Sequence, residues 1–505
     1  MEEKQLRIYF TSDIHAFFYP TDYHSRGEKD IGLFKCANRF IKDGNTLIID
    51  GGDILQGSPL GTFCHDSVED PGKIAEIMNR CGYDYVTLGN HDFNYGTEYL
   101  EKYLKALNAR CVCQNAECAE KLSKYPACIH RLKNGLKVGI VGIVTDYVNV
   151  WERPEHLAGL KITDPLESAG RALDEIRDKC DITVGIYHGG FERDLETGKL
   201  LSQSTENIAY RICEELDFDI LLTGHQHMSV TGRKINNTYT VQPSDSGREF
   251  VYLEAKLKDG RKEITSENFP AGGKCSPELL ESFQELNQGA EKWLDIEVGR
   301  LSRALMPEDH LKMAYSGCGL AKFFNMVQLW CSGADISAAS LANEAAGLPE
   351  IVRRRDVLTA YPYPNTLSVL KISGRDLRQV IERSAQYFDL DEKAQPRISE
   401  AFLKPKVEHY NYDYYEGIDY SLDISKPVGS RLQSLKYKGR ELSDEETLNI
   451  CVNNYRACGA GGYPEYLKCE LIKEINFEMS ELILEYFKAH PAVTVEKQDN
   501  MHIYY

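Results

Sequence analysis

Five short apolar runs in the first half of this chain each stop at a cluster of Gly, Asp, Asn or His, and that repetition restricts the fold more than any other feature. Leu6 to Thr11 stops at Ser12-Asp13, Thr46 to Asp50 at Gly51-Gly52-Asp53, and Tyr85 to Leu88 at Gly89-Asn90-His91. Ile182 to Tyr187 stops at His188, and Ile220 to Thr223 at Gly224-His225-Gln226-His227. A further buried strand is read at Lys137 to Val144. Helical patterns lie between them, at Leu33 to Lys42, Ile74 to Arg80, Leu166 to Lys179 and Ile208 to Glu215. Short apolar strands separated by helical stretches argue for an α/β layered core. In such folds ligands gather at the carboxyl ends of the strands, where loops from distant positions converge. The five clusters can therefore meet in space.

The pattern breaks near Phe269-Pro270-Ala271-Gly272-Gly273. A helix from Pro277 to Leu294 follows, with Leu279, Leu280, Phe283, Leu286 and Trp293 near helical spacing. We read residues 1–270 as one domain, 271–297 as a linker helix, and 298–505 as a second mixed α/β domain that holds substrate. The second domain contains a helix at Gly374 to Phe388 and a tyrosine-dense loop at His409 to Tyr420.

Composition narrows the class of ligand. The net charge of −18 repels nucleic-acid backbones and anionic membranes, so neither a nucleic-acid polymer nor a membrane is expected as partner. A small anionic substrate requires a metal or a local basic patch to reverse the field. The opening MEEKQLRIYF is not a signal peptide, and the apolar stretch Leu136 to Val144 is too short to span a bilayer. Fifteen scattered cysteines, an odd number, fit free thiols in a reducing cytoplasm, although an exported protein that had lost its leader would look the same. Cys111, Cys113, Cys118 and Cys128 match no C-x2-C spacing and are read as small buried hydrophobes rather than a zinc site.

The chemistry lies in the ordered series Asp13-x-His15, Asp53, Asn90-His91, His188 and His225-x-His227. Every side chain in it is an oxygen or imidazole-nitrogen donor, a set suited to Mn, Zn, Fe or Co. Taken singly, an Asp-x-His is a surface turn and a histidine after a strand is a satisfied core residue. Five such blocks in order, all at strand ends, point to metal. A lone carboxylate such as Asp53 can bridge two ions with its two oxygens. Two metals about 3.5–4 Å apart clamp the attacking and leaving oxygens of an in-line displacement at phosphorus.

This series resembles the calcineurin-like metallophosphoesterases, a four-layer α/β sandwich of sheets flanked by helices. Within them the chain resembles the 5′-nucleotidase family, whose metallophosphatase domain is joined by a helix to a C-terminal substrate domain. The stretches GGDILQGSPLG (51–61), GNHDFNYG (89–96) and NNYRACGAGGYP (453–464) resemble the bifunctional 2′,3′-cyclic-nucleotide 2′-phosphodiesterase/3′-nucleotidase branch. The resemblance implies two divalent ions, one on Asp13, His15, Asp53 and His227, the other on Asp53, Asn90, His188 and His225. It implies that a metal-bridging hydroxide attacks phosphorus while His91 stabilises the transition state and protonates the departing oxygen. Many 5′-nucleotidases carry Asp where this chain has Asn94; the cyclic-phosphodiesterase branch shares the Asn. A neutral amide can orient the His91 ring but cannot favour its charged form by ion pairing.

For a nucleotide substrate, two tyrosine rings can sandwich the base, at about 1–3 kcal/mol per stacked base. The resemblance places a stacking aromatic at Tyr455, and Tyr410 is the expected partner ahead of Tyr412. Gly459 and Gly461 would let a ribose or base approach the backbone. The loop Ala338 to Glu344 lacks the Arg that typical 5′-nucleotidases place there. The sequence thus reads as a dinuclear phosphohydrolase of 2′,3′-cyclic nucleotides and 3′-nucleotides. A broad-specificity 5′-nucleotidase and a nucleotide-binding sensor without turnover are the alternatives.

Overall fold

A computed structural model describes residues 3–23, 27–118, 124–201, 205–363, 365–404, 406–475, 477–496 and 498–505. The chain forms two compact units, Met1–Glu291 and Lys292–Tyr505.

The first unit is built on two six-stranded sheets. In one, Lys4–Thr11, Thr46–Asp50, Tyr85–Val86 and Arg110–Cys111 run parallel, and the hairpin of Glu249–Lys258 with Arg261–Pro270 pairs antiparallel along the free side of Lys4–Thr11. In the other, Thr238–Gln242, Ile220–Thr223, Ile182–His188 and Lys137–Val144 run parallel between antiparallel edges Val230–Ile235 and Cys128–Arg131. The central strands are apolar on both faces because both faces are covered. One face of each sheet meets the other in a shared core that includes Phe10, Ile49, Ile140, Val184 and Leu222. On the outer face of the second sheet, Ala172 and Leu173 from helix Pro165–Ile176 and Ile212 from helix Ala209–Glu215 pack on Val141, Ile143 and Leu221. The Asp164 side chain caps the first of these helices by accepting from Glu167 N at 2.8 Å, with Pro165 at its first position.

Three helices end sooner than the sequence pattern suggests, one of them at Ala385 rather than Phe388, which opens a strand. The helix expected to run to Lys42 stops at Ala37, because Asn38 and Arg39 turn away to donate to Lys274 O and Pro270 O. The helix expected over Pro277 to Leu294 is two helices, Pro277–Ser282 and Gln284–Leu294. Phe283 breaks it: the ring is buried against Phe34 at 6.1 Å, and its carbonyl accepts from Tyr19 Oη at 2.6 Å.

The second unit carries a mixed five-stranded sheet in the order Asp413–Glu416, Ile336–Ser340, Thr447–Asn453, Leu367–Ser373, Glu470–Ile475. Helices Gly319–Ser332, Gly374–Ala385 and Met479–Ala489 share its core through Phe323, Leu377, Ile381 and Phe487. The tyrosine-dense segment is no loop. After one 3-10 turn at His409–Asn411 it forms strands Asp413–Glu416 and Asp419–Asp423, which suits the preference of aromatics for a pleated, buried surface. Among the described residues, no helix is long and apolar enough to cross a membrane.

Candidate functional site

The strand ends of the first unit lock together through their backbones. Asp13 N donates to Gly52 O at 2.9 Å and His15 N to Asp53 O at 2.8 Å. A Cβ at Gly89 would lie 2.1 Å from Asp53 Oδ1, so only glycine lets these two loops close. Five of the seven sequence-predicted metal ligands have left-handed backbone: Asp13 (φ 56°), His15 (51°), Asp53 (60°), His225 (72°) and His227 (55°). Non-glycine residues in this region cost roughly 1–3 kcal/mol each when strained, and such residues gather where a site demands them.

The side chains then converge. His188 Nε2 lies 3.2 Å from Asp53 Oδ2, 3.2 Å from Asn90 Oδ1 and 3.9 Å from Asp13 Oδ1. His227 Nε2 is 3.4 Å from Asp13 Oδ1 and 3.2 Å from His15 Nε2. His15 Nε2 is 3.8 Å from Asp53 Oδ2, and His225 Nδ1 is 2.9 Å from Asn90 Oδ1. Among the described residues, two groups have donor atoms near enough to share an ion: Asp13, His15 and His227; and Asp13, Asp53 and His188. Asp53 Oδ2 lies between His15 and His188.

Three imidazoles are aimed by what holds their far nitrogen. His15 Nδ1–H donates to Gln56 O at 2.7 Å and His188 Nδ1–H to Gly51 O at 2.7 Å, which turns Nε2 of each toward the cluster, where a metal would take the place of any proton it carries. His225 Nε2–H donates to the Glu206 carboxylate at 3.0 Å, leaving Nδ1 toward Asn90. Partners of this kind fix tautomer and ring direction at metal sites. The backbone carbonyls of Gly51 and Gln56 leave no mark in a side-chain pattern, and Glu206 lies 19 positions before His225. Asp92 lies within the GNHDFNYG motif, but the sequence reading assigned it no role. Its carboxylate accepts from the backbone N–H groups of Asp53, Ile54, Leu55 and Gly89 at 2.8–3.1 Å, so it builds the loop that presents Asp53.

The field at the cluster favours a cation. Burial alone would raise the Asp53 and Asp13 carboxyls, yet the neighbouring His188, with His91 for Asp53 and His227 for Asp13, holds both below the ordinary carboxylate range. Burial alone would lower His188, yet Asp53 and Asp13 push it up to about 10. Buried carboxylates that hold on to nearby positive charge, oxygen and imidazole donors without thiolate, and ring nitrogens aimed inward together fit a divalent metal.

His91 stands beside this group, its ring 5.4 Å from that of His15, and its backbone N–H donates to Asp53 Oδ1 at 2.7 Å. Its Nδ1 donates to Asn94 Oδ1 at 2.8 Å.

In the second unit Tyr410 and Tyr455 are half-buried and 6.5 Å apart, but their planes cross at 73°, edge to face rather than parallel. Tyr363, which the sequence reading did not single out, lies 6.3 Å from Tyr410. Arg456 fixes the arrangement: it is buried, forms a two-oxygen pair with Asp413 at 2.9–3.1 Å, and donates to Tyr410 O at 2.7 Å. Tyr412 is a core residue in place of the stacking role offered for it. It is 3% exposed, its hydroxyl donates to Ala314 O, and its ring sits 4.9 Å from both Tyr387 and Tyr414. Gly459 and Gly461 have positive φ, and the near neighbours of an added Cβ are Leu467 for the first and Asn411 with Arg456 for the second. Packing within the unit is therefore enough to require glycine at both.

Two family models match the chain, "calcineurin-like phosphoesterase" over residues 6–229 and "5′-nucleotidase, C-terminal domain" over residues 298–468. A solved Staphylococcus aureus protein assigned as a 5′-nucleotidase, in complex with alpha-ketoglutarate, is 30% identical with a TM-score of 0.89, covering 99% of this chain and 100% of that one. The trifunctional nucleotide phosphoesterase protein YfkN of Bacillus subtilis is 25% identical over 99% of this chain, which spans only 39% of that protein's length. The 2′,3′-cyclic-nucleotide 2′-phosphodiesterase/3′-nucleotidase of Haemophilus influenzae is 23% identical, covering 98% of this chain and 86% of that protein.

Proposed function

Because the chain belongs to the calcineurin-like phosphoesterases that carry a 5′-nucleotidase C-terminal domain, and is a metal-dependent hydrolase of that family, we propose that it opens 2′,3′-cyclic nucleotides at the 2′ ester and then dephosphorylates the 3′-nucleotide. The observation that carries this reading is the convergence of Asp13, His15, Asp53, Asn90, His188, His225 and His227 beside His91. In this reading Asp13, His15, Asp53 and His227 hold one divalent ion and Asp53, Asn90, His188 and His225 the other. Mn, Zn, Fe and Co all suit the donor set. Bound there, such ions supply a nucleophile from water near neutral pH and charge to offset the phosphate oxygens.

The chain's own residues do the rest. Asp53 is oriented by the His91 amide and the Asp92 loop, and His15, His188 and His225 are held in one tautomer by Gln56, Gly51 and Glu206. His91 donates from Nδ1 to Asn94, so its Nε2 is the nitrogen left to meet substrate, and the ring protonated on both nitrogens would give the Nε2 proton to the departing oxygen. In the second unit the Tyr410–Tyr455 pair is the proposed base-binding element; parallel stacking on both faces of a base requires one ring to rotate from its edge-to-face position. Asn94, shared with the cyclic-phosphodiesterase branch, supports the cyclic substrate, whereas the likeness to the Staphylococcus protein supports a 5′-nucleotidase of broad specificity as the second reading.

Phosphate release with added Mn separates the two. The assay compares 2′,3′-cAMP (with a coupled phosphatase), 3′-AMP, 5′-AMP and bis-p-nitrophenyl phosphate. Preference for the cyclic and 3′ substrates is expected; preference for 5′-AMP overturns the substrate assignment. His91→Ala should lower kcat by about 10²–10⁴-fold, the range for loss of a general acid–base group, while Mn affinity by calorimetry stays within about threefold.

A further inference from the structure

The indole of Trp151 lies nearly parallel to one imidazole of the cluster. Its ring is 5.6 Å from that of His225 with the planes 21° apart, an offset stack. Trp151 closes the short helix Val148–Trp151, which follows the strand Lys137–Val144. We infer that Trp151 is a positioning residue: its flat face fixes the rotation of the His225 ring and so aims Nδ1 at the ion that His225 holds in the reading above. The inference rests on that reading of His225.

The requirement comes from which ring nitrogen faces the cluster. His15 and His188 are bonded to backbone carbonyls through Nδ1 and turn Nε2 inward. His225 is the reverse, with Nε2 on the Glu206 carboxylate and Nδ1 toward Asn90 Oδ1 at 2.9 Å. An imidazole turns about its Cβ–Cγ bond, a torsion with only broad preferences of its own. Nε2 lies at the far end of the ring, close to the line of that bond, whereas Nδ1 stands off to one side. A bond at Nδ1 therefore resists the turn, and a bond at Nε2 resists it weakly. Glu206 can keep its bond while Nδ1 swings away from Asn90. A flat ring laid along the imidazole opposes the swing by contact, because turning drives an edge of the imidazole into the indole.

The indole is itself held. Tyr147 packs against it at 5.4 Å, and Trp151 N donates to Tyr147 O at 3.0 Å. Thr145 pins the start of the segment, its N–H donating to His188 O at 3.0 Å and its hydroxyl to Glu206 O at 2.8 Å. At the end, Glu152 Oε2 accepts from Asn94 Nδ2 at 2.7 Å. A supporting side chain holds a site residue to useful precision when packing and hydrogen bonds lock it in turn.

Three variants separate a flat face from bulk. Trp151→Phe keeps a flat ring, Trp151→Leu fills much of the space without one, and Trp151→Ala removes both. Calorimetric titration of Mn into the metal-free protein reads the ions directly. Trp151→Leu and Trp151→Ala should weaken one of the two ions about 10-fold and leave the other within about threefold, while Trp151→Phe stays within about threefold of native at both. Crystal structures of the metal-free native protein and of Trp151→Leu give a second readout. The His225 ring should keep one orientation in the first and turn, or spread over several orientations, in the second. Native-like Mn binding in Trp151→Leu, or an unturned His225 ring, overturns the inference. So does a KM for bis-p-nitrophenyl phosphate that rises in Trp151→Leu while both Mn affinities hold, which would make the indole a substrate contact. A native protein that binds no Mn overturns the inference together with the reading of His225. If it binds Mn but hydrolyses no phosphoester, the activity reading fails, and titration and ring orientation still decide the role of Trp151.

Discussion

At the scale of single residues, a half-buried acid distant in sequence from the cluster shows how environment sets chemistry. Glu416 ends a strand with its Oε1 accepting no hydrogen bond; burial, opposed by Lys322 and reinforced by Asp499 and Asp419, pushes its carboxyl up to about 7. The folded protein then keeps a proton on Glu416 that the unfolded chain, near its ordinary value of 4.5, has lost. Stability from this group is present at acid pH and lost as pH rises through that window. Glu416→Gln should remove the loss, making the variant more stable than the native protein at pH 8 by on the order of 1–3 kcal/mol, and not at pH 4, in urea unfolding. The residues that converge in the candidate metal cluster were legible in the sequence as a group because each ends an apolar run, a pattern that needs no knowledge of contacts. Glu152 and Glu206 were not legible, since one accepts from Asn94 and the other from His225, partners in other segments that are met only after folding. Tyr412 was misjudged for the converse reason: a run of tyrosines does not say which rings face inward.

At the scale of elements, strands that end at the site were read correctly in kind, whereas long-range contacts moved helix ends. The periodicity of 277–294 is helical, but burial of Phe283 against Phe34 outweighs continuity of one helix. The tyrosine segment was read as loop because its turn at His409–Asn411 is polar, while its pairing with Ile336–Ser340 lies some seventy positions away. That strand also anchors the aromatic pair, since Asp413 at its start neutralises Arg456 and Arg456 holds the Tyr410 carbonyl. Both charged groups are 1% exposed. Asp413→Ala should therefore leave a buried cation unpaired and destabilise the second unit by about 3–5 kcal/mol, measured by urea unfolding, whereas replacing both partners by apolar residues should cost much less.

At the scale of the whole molecule, the chain divides into a unit that gathers donors for cations and a unit that presents aromatic rings. EDTA should abolish hydrolysis and lower the Tm of the first unit. Mn restored to a hundred times its Kd should return about 2.7 kcal/mol, seen in calorimetry as a shift of one transition more than the other. The left-handed backbone at Asp13, His15, Asp53, His225 and His227 carries a different kind of consequence. Conformational cost there is borne whether or not a cation is present, so these positions are poor ones for thermal endurance and good ones only for binding. A directed-evolution campaign that rewards heat resistance alone should drift them toward glycine and asparagine, with partly exposed His227 first, and yield sturdier proteins that have forgotten their chemistry.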